Sequence, residues 1–188
     1  NALRDVFVHD RKTGETTRVS VDSAGIEGDG YSSDPKISAN GRFVSFWSAA
    51  TNLVAGDGNG VDDIFVHDRK TGETTRVSVD SAGGEGDGES VLPAISSNGR
   101  FVAFRSVSTN LVPGDGNAGA DGFVHDRKTG ETTLVSVNSA GTAGNGDSVV
   151  GSISANGRLV AFLSAATNLV LDDVNSQLDA FVHDRKTA

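Results

Sequence analysis

Short apolar runs of strand length recur along the chain. In its middle part, IFVHD (64–68) and RFVAFRS (100–106) have apolar residues on both faces, TTRVSV (74–79) alternates apolar and polar residues, and PAIS (93–96) is a short apolar segment. Runs of this length and alternation predict β-strands, and no stretch shows the 3.6-residue periodicity of a helix. The pattern therefore predicts an all-β chain of short antiparallel strands.

These strands belong to a repeat. The segment HDRKT occurs at positions that are 58 residues apart, beginning at His9, His67, His125 and His183. Residues 7–25 and 65–83 are identical, and the third copy differs from them only at Leu134 and Asn138. Copies this similar should each adopt one conformation, so the chain is predicted to be a tandem array of one structural unit.

A sheet that is apolar on both faces needs a neighbouring sheet on each side, and radial stacking of β-propeller blades supplies this. We predict three 58-residue, four-stranded antiparallel repeats plus a duplicated end strand, in a single repeat domain of residues 1–188. The blades are expected at about 33–80, 91–138 and 149–188, the last completed by 1–22 or by a partner chain. A β-solenoid is the alternative, although its coils are usually shorter and lack Asn-Gly hairpins.

The segments ISANGRFVSF, ISSNGRFVAF and ISANGRLVAF are followed by TNLV and then by sequences such as DDIFVHDRKTGETTRVSV. They resemble the TolB-like, WD40-like repeats of bacterial β-propellers over the whole chain. The resemblance implies a propeller blade, and a secreted or periplasmic location in a bacterium. It implies no particular activity and no particular site residue.

The number of repeats raises the question of closure. Three blades are too few for a ring, for which about four to eight are usual. Either the chain is a fragment of a longer array, or two copies assemble a six-bladed ring, with a homodimer as the favoured partner state. An open arc of blades would otherwise expose apolar sheet faces.

Charge further divides the predicted blade. In a meander, the Asn-Gly and Lys-Thr-Gly turns lie on one side, the short-turn face, and the longer loops lie on the other, the long-loop face. Of the 25 acidic residues, 18 lie in or beside the long loops with three basic residues among them. We therefore expect the long-loop face to attract cations or a cationic protein segment. The net charge of −9 argues against nucleic acid and anionic membranes as partners.

One long loop of each repeat carries the pattern Asp-x-Asn-x-x-x-Asp. It comprises Asp57, Asn59 and Asp63, then Asp115, Asn117 and Asp121, and then Asp173, Asn175 and Asp179. Carboxylates, amide oxygens and carbonyls of a tight loop are the ligands that Ca²⁺ prefers, so these nine residues are candidate metal ligands and Ca²⁺ is the candidate cofactor. Alternatively, the same residues form Asx-turns that shape the loop.

The pattern favours a non-catalytic binding or scaffold module over an enzyme, because an active site requires one singular constellation whereas these polar residues repeat. The four histidines next to aspartates are expected to make structural hydrogen bonds. No catalytic residue is predicted, and the absence of cysteine excludes thiol chemistry. Two alternatives remain: the propeller part of a secreted hydrolase, and an engineered or recently amplified repeat protein whose only property is self-assembly.

Overall fold

A computed structural model describes residues 1–117, 119–175 and 177–186. These residues form thirteen β-strands and no helix, and hence no helix that is long and apolar enough to cross a membrane. The strands are β1 (Phe7–His9), β2 (Thr16–Arg18), β3 (Ser32–Ile37), β4 (Phe43–Ser48), β5 (Asp63–Asp68), β6 (Thr74–Arg76), β7 (Ser90–Ile95), β8 (Phe101–Ser106), β9 (Asp121–Asp126), β10 (Glu131–Leu134), β11 (Ser148–Ile153), β12 (Leu159–Ser164) and β13 (Asp179–Asp184).

The strands form four separate antiparallel sheets, which confirms the predicted all-β, antiparallel class. Two sheets have four strands, β3-β4-β5-β6 and β7-β8-β9-β10; one has three, β11-β12-β13; and one has two, β1-β2. The described sheets do not close into a ring. The strands β1 and β2 pair with each other, so completion of the third blade by 1–22 or by a partner chain stays a prediction; residues 176, 187 and 188 of that blade lie outside the described residues.

The sheets stack face to face through apolar clusters, because their central strands are apolar on both faces. Every residue of β5 and of β9 is buried. Phe46 and Phe65 pack with Val6 and Val19 between the first two sheets. The next interface contains Ile64, Val66, Val77, Val102, Phe104 and Phe123, and the last contains Ala103, Val124, Val135, Val150 and Val160. Each sheet therefore stabilises only its immediate neighbours.

The Asn-Gly segments form the predicted hairpin turns and also link one sheet to the next. In the turn between β7 and β8, the backbone N–H of Gly99 donates to the carbonyl of Ser96 at 2.9 Å, and Gly99 has a φ of +73°. That left-handed conformation favours glycine. The N–H of Ala39 donates to the carbonyl of Ser97 at 3.0 Å, and the N–H of Ser97 donates to the carbonyl of Ala155 at 3.1 Å. A chain of backbone hydrogen bonds thus joins three neighbouring turns.

The first strand of each larger sheet is irregular. The pairing of β7 with β8 shifts between Val91 and Ala94, and Leu92 inside this bulge has a φ of +56°. This strand begins at Ser90, earlier than the predicted 93, whereas β6 ends at Arg76, earlier than the predicted 79. A left-handed leucine is strained. The bulge interrupts the alternation of the strand, which explains why the sequence pattern predicted only part of it.

The two ends of the stack expose faces that are buried in its interior. Val182 in β13 is 68% exposed, whereas its equivalents Val66 and Val124 are fully buried against the following sheet. At the other end, Phe7 in β1 is 52% exposed, whereas its equivalent Phe65 is fully buried. Each end therefore presents the apolar surface that an inner blade uses to contact its neighbour.

Candidate functional site

The short-turn face is occupied by structural ion pairs. Arg42 donates from Nε and Nη2 to the two carboxylate oxygens of Asp68, at 2.8 and 2.6 Å, and Arg100 binds Asp126 in the same way. This bidentate contact lowers the pKa of Asp126 to about 2. Arg127 extends from the second four-stranded sheet, and its guanidinium lies 4.6 Å from the ring centroid of Phe43. These basic residues therefore join strands and sheets.

The histidines have the structural role that the sequence suggested. Nδ1 of His125 lies 2.9 Å from Oγ1 of Thr132, whose hydroxyl donates to the carbonyl of Val79 at 2.5 Å. Because that carbonyl can only accept, the hydroxyl proton is committed to it, and the ring nitrogen must donate to Thr132. Burial lowers the pKa of His125 to about 4. The neutral ring thus links a sheet to the segment that follows the preceding sheet.

On the long-loop face, part of the acidic charge holds loops together. The carboxylate of Asp87 accepts hydrogen bonds from the backbone N–H and the hydroxyl of Thr109, at 2.7 and 2.8 Å. The side chain of Asn110 joins the same two loops, because it donates a hydrogen bond to the carbonyl of Glu85 at 2.8 Å. The Thr-Asn pair that follows the second strand of each larger sheet therefore fixes the Gly-rich loop.

The three asparagines of the predicted metal pattern form Asx-turns. The side-chain oxygens of Asn59, Asn117 and Asn175 accept backbone N–H groups two residues further on, at 3.0, 2.6 and 2.7 Å. Asn59 also donates to Asp63 at 3.0 Å and to the carbonyl of Gly86 at 2.9 Å. The amides shape the loop, as the alternative interpretation proposed, while the aspartates come together beside them.

In the first four-stranded sheet, these aspartates form an acidic cluster. Asp57, Asp63 and Glu85 each place a carboxylate oxygen within 4.8 Å of the others, a spacing that suits a metal ion. Asp63 is fully buried and accepts a hydrogen bond from the hydroxyl of Ser78 at 2.5 Å. Burial, assisted by the charge of Asp63, raises the pKa of Asp57 to about 6. The cluster therefore concentrates negative charge in a poorly solvated place.

An arginine lies among these carboxylates. Nη1 of Arg76 is 3.4 Å from Oδ1 of Asp57 and 3.5 Å from Oδ2 of Asp63, and it also contacts Glu85. At the equivalent position of β2, Arg18 contacts Asp5 and Glu27. Sequence reasoning missed both Arg76 and Glu85 as members of this cluster, because they come from a different strand and a different loop. The repeated TTR of β2 and β6 is the signal that could have found the arginine.

The other two copies of the pattern have different surroundings. In the second, Leu134 of β10 stands at the position of Arg76, and burial together with the charge of Asp121 raises the pKa of Asp115 to about 6. In the third, Oδ2 of Asp179 accepts a hydrogen bond from Asn175 at 3.0 Å, while Oδ1 of Asp173 is buried with no hydrogen-bond donor among the described residues. Among the residues that the structure describes, an arginine contacts only the first of the three sets.

A second site on this face, which we call the aromatic–acidic site, is built from Tyr31, Trp47, Asp62 and Glu89. The rings of Tyr31 and Trp47 meet edge to face with centroids 5.4 Å apart. The hydroxyl of Tyr31 donates to Asp62 at 3.2 Å, and burial, assisted by this hydrogen bond, raises the pKa of the tyrosine. Glu89 pairs with Arg105 at 3.4 Å and is itself exposed. These are the only Tyr and Trp of the chain.

Comparisons with known proteins find the fold and nothing closer. No protein-family model matches the chain, and no curated protein does so. Among solved structures, TolB from Acinetobacter baumannii aligns with a TM-score of 0.57 at 14% identity, over 97% of this chain and 38% of that one. The tricorn protease aligns with a TM-score of 0.55 at 18% identity, over 85% and 13%. A prolyl endopeptidase aligns with a TM-score of 0.57 at 15% identity, over 96% and 24%.

The stacked antiparallel sheets and these alignments define the class: the chain has the fold of β-propeller blades. More particularly, the alignment with TolB confirms the predicted resemblance at the level of the fold. The chain spans 38% of the aligned TolB and smaller shares of the two peptidases. At identities below 20%, the likeness concerns the fold alone.

Proposed function

We propose that this protein is a non-catalytic binding or scaffold module of the β-propeller type, and that its long-loop face takes a cationic ligand. The ligand class is a lysine- or arginine-rich protein segment. The aromatic–acidic site is the place where such a side chain binds, and the edge-to-face contact of Tyr31 with Trp47 beside Asp62 and Glu89 is the observation that carries the proposal.

The chemistry of this site suits a cation better than it suits any step of catalysis. Aromatic faces attract ammonium and guanidinium groups, by ~0.5–1 kcal/mol at exposed sites and more when the cation is desolvated. The carboxylates of Asp62 and Glu89 add a charge-assisted contact. Tyr31 and Trp47 do not recur: Arg105 and Leu163 stand at the position of the tryptophan in the other repeats, and Glu89 and Asp147 at that of the tyrosine. One site per chain is therefore expected.

Because Trp47 is the only tryptophan, its fluorescence reports directly on the site. We would titrate the protein with an octalysine peptide at low salt, and we expect a saturable change in emission. The change should shrink strongly in 1 M salt, where the screening length falls to ~3 Å. The variants Tyr31→Leu and Glu89→Gln should weaken binding.

A matched control comes from the short-turn face. Glu73→Gln removes one exposed carboxylate, as Glu89→Gln does, but on the opposite side of the blade, and it should leave the titration unchanged. Equal effects of the two substitutions would mean that the peptide responds to net charge and has no defined site. A non-saturable or absent emission change would refute the proposed ligand class.

We also propose that two copies associate, with the β13 end of one chain against the β1 end of the other. The support is the exposure of Val182 and Phe7, whose inner equivalents are buried in contacts between sheets. These two surfaces are complementary by repetition, so a head-to-tail contact would reproduce an inner interface. A ring of two copies is the closed form that such contacts favour.

Molecular mass in solution tests this association. The chain weighs 19.3 kDa, and light scattering should give twice that value for the wild type. Val182→Asp should produce the monomer, since it adds a charge to the apolar contact, whereas Thr71→Asp in an exposed short turn should not. A wild-type monomer at all concentrations would contradict the proposal.

A second candidate function is suggested by the likeness to the tricorn protease and a prolyl endopeptidase, namely a propeller that serves a hydrolase. Turnover in a broad peptidase, glycosidase and esterase screen would favour it over the binding module. A periplasmic or secreted location is likewise our proposal, with the TolB-like fold as its support, and fractionation of the source cell would test it.

A further inference from the structure

A threonine of the fourth strand links each four-stranded sheet to the sheet before it. The hydroxyl of Thr74 in β6 donates to the carbonyl of Val21 at 2.6 Å, and its N–H donates to the hydroxyl oxygen of Ser23 at 3.0 Å. Thr132 in β10 makes the same two hydrogen bonds one repeat further on, at 2.5 and 3.0 Å. The segment that follows the last strand of one sheet therefore fixes the fourth strand of the next.

The next copy of this acceptor pair lies beside β13. Val137 and Ser139 follow β10 at the repeat positions of the two acceptors. Neither the carbonyl of Val137 nor the hydroxyl of Ser139 is hydrogen-bonded to another described residue. A groove of about 250 Å³ is lined by Val137, Ser139, Phe181 and His183. In the inner sheets, this position beside the third strand holds the fourth strand.

The repeat shows which strand fits this groove. The sequence FVHD of β13 is also that of β5, whose outer edge pairs with TTR of β6. The strand β2 has the same TTR sequence. Its Thr16 is exposed and bonds to His9, whereas the equivalents Thr74 and Thr132 are buried against the preceding sheet. Thr16 thus carries the donors that match the two acceptors at the other end of the stack.

We propose that the groove beside β13 takes β2 of a second copy of this chain, with Thr16 as the residue that links the two copies. This deepens the proposed association of two copies and rests on it. In the register of β5 with β6, Thr16 of the second copy lies opposite His183. Its hydroxyl then donates to the carbonyl of Val137 and its N–H to the hydroxyl of Ser139, as in the two inner sheets.

In this arrangement β2 exchanges one copy of the FVH strand for another. It gives up three residue pairs with Phe7–His9 and regains the same three with Phe181–His183. The gain comes from the two hydrogen bonds of Thr16 and from burial of Val182, which is 68% exposed. The strand β13 also pairs with β12 over six residues, whereas β1 has no second neighbour among the described strands. Exchange of an identical element between copies is a low-cost route to a dimer.

Disulfide trapping tests the position of β2, because the chain contains no cysteine. Opposite residues of antiparallel strands lie ~4.5–5.5 Å apart, within the range of a disulfide. The full-length double variant Thr16→Cys/His183→Cys should therefore form an oxidised dimer, and peptide mass analysis should find position 16 joined to position 183. Thr71→Cys/His183→Cys is the matched control. Thr71 lies in an exposed short turn, so positions 71 and 183 should stay unlinked.

Sedimentation equilibrium tests the linking role of the hydroxyl. Thr16→Val should raise the dissociation constant of the dimer at least ~fivefold, because it leaves the Val137 carbonyl unpaired at the contact. Thr16→Ser keeps a hydroxyl and should restore most of the affinity. Thr17→Val is the matched control, since the hydroxyl of its equivalent Thr75 bonds within its own sheet and not to the preceding one.

The strand exchange and the association of two copies fail separately. A dimer by light scattering that forms no 16–183 disulfide would refute the strand exchange and leave the association intact. Equal affinities of Thr16→Val and Thr17→Val would refute the linking role of Thr16. A 16–183 disulfide from a chain that is monomeric by light scattering would support the groove and refute the stable dimer. A monomer without the disulfide would refute both.

Discussion

Replacing Gly99 by alanine is expected to destabilise the protein more than replacing Gly41, although both glycines occupy the same position of an Asn-Gly turn. Their φ values are +73° and +71°. A Cβ at Gly99 would lie 2.1 Å from Cδ2 and 2.6 Å from Cγ of Phe43 in the preceding sheet. A Cβ at Gly41 would meet only Nη1 of Arg69, at 3.8 Å.

The difference between the two substitutions isolates the contact between sheets. Both alanines bear the left-handed strain, which costs ~1–2 kcal/mol. At Gly99 the ring of Phe43 must also move, and it has little freedom because the guanidinium carbons of Arg42 and Arg127 each lie 4.6 Å from its centroid. Overpacking of this kind costs ~1–3 kcal/mol. Gly99→Ala should therefore lose ~1–3 kcal/mol more than Gly41→Ala.

Urea unfolding followed by Trp47 fluorescence measures both variants against the wild type. In a chain of this length, each kcal/mol corresponds to ~2–4 °C in melting temperature, so a thermal scan provides a second measurement. A third variant, Gly157→Ala, repeats the test at the next interface, where the added Cβ would lie 2.1 Å from Cδ2 of Phe101.

Equal destabilisation by Gly41→Ala and Gly99→Ala would refute the reasoning. It would mean that backbone strain alone determines the cost and that Phe43 yields without penalty. A large loss of stability at Gly99 with a small one at Gly157 would instead show that this tight contact matters only between the two four-stranded sheets.

Two further predictions concern a buried ring and a strained bulge. The pKa of His125 is about 4 in the folded protein, below its ordinary value of 6.5, so the unfolded chain binds more protons between these values and stability falls as the pH drops from 6.5 to 4. Unfolding free energies measured at pH 7 and at pH 4 should show that His125→Gln removes ~2–3 kcal/mol of this pH dependence. His9 occupies the same repeat position but is exposed, so His9→Gln should not have this effect. Leu92→Gly should raise the unfolding free energy by ~0.5–1 kcal/mol, because it relieves the backbone strain at φ +56°. Val91→Gly, its control, should lower the unfolding free energy. If Leu92→Gly is destabilised instead, the contacts of the leucine side chain contribute more to stability than the strain costs.

The sequence pattern was sufficient to predict the strands and their stacking, because these depend on local alternation. FVHD in β5 and β9 is apolar on both faces, and it lies between two sheets as expected. The bulge at Leu92 was not predictable, since nothing in Val-Leu-Pro specifies a left-handed leucine. Its conformation is imposed by the pairing of the whole strand with its neighbour.

The candidate site was only partly predictable, for a related reason. The loop pattern found Asp57 and Asp63, whose separation is local. The arginine that contacts them comes from β6, and Glu85 comes from the loop after it, so this cluster depends on the lateral order of strands. Comparison of the repeats shows that Leu134 replaces the arginine. The sequence alone does not show which carboxylates that arginine contacts.

The chain of turn-to-turn hydrogen bonds through Ala39, Ser97 and Ala155 makes the stack a one-dimensional array. In such an array, opening begins at the ends and proceeds inward, so amide hydrogen exchange should depend on how many neighbours a sheet has. The four FVHD copies have the same sequence, and therefore nearly the same intrinsic exchange chemistry. Differences in amide protection among the four copies would then report the position of each sheet in the array. Exchange should be slowest in β5 and β9 and fastest in β1 and β13.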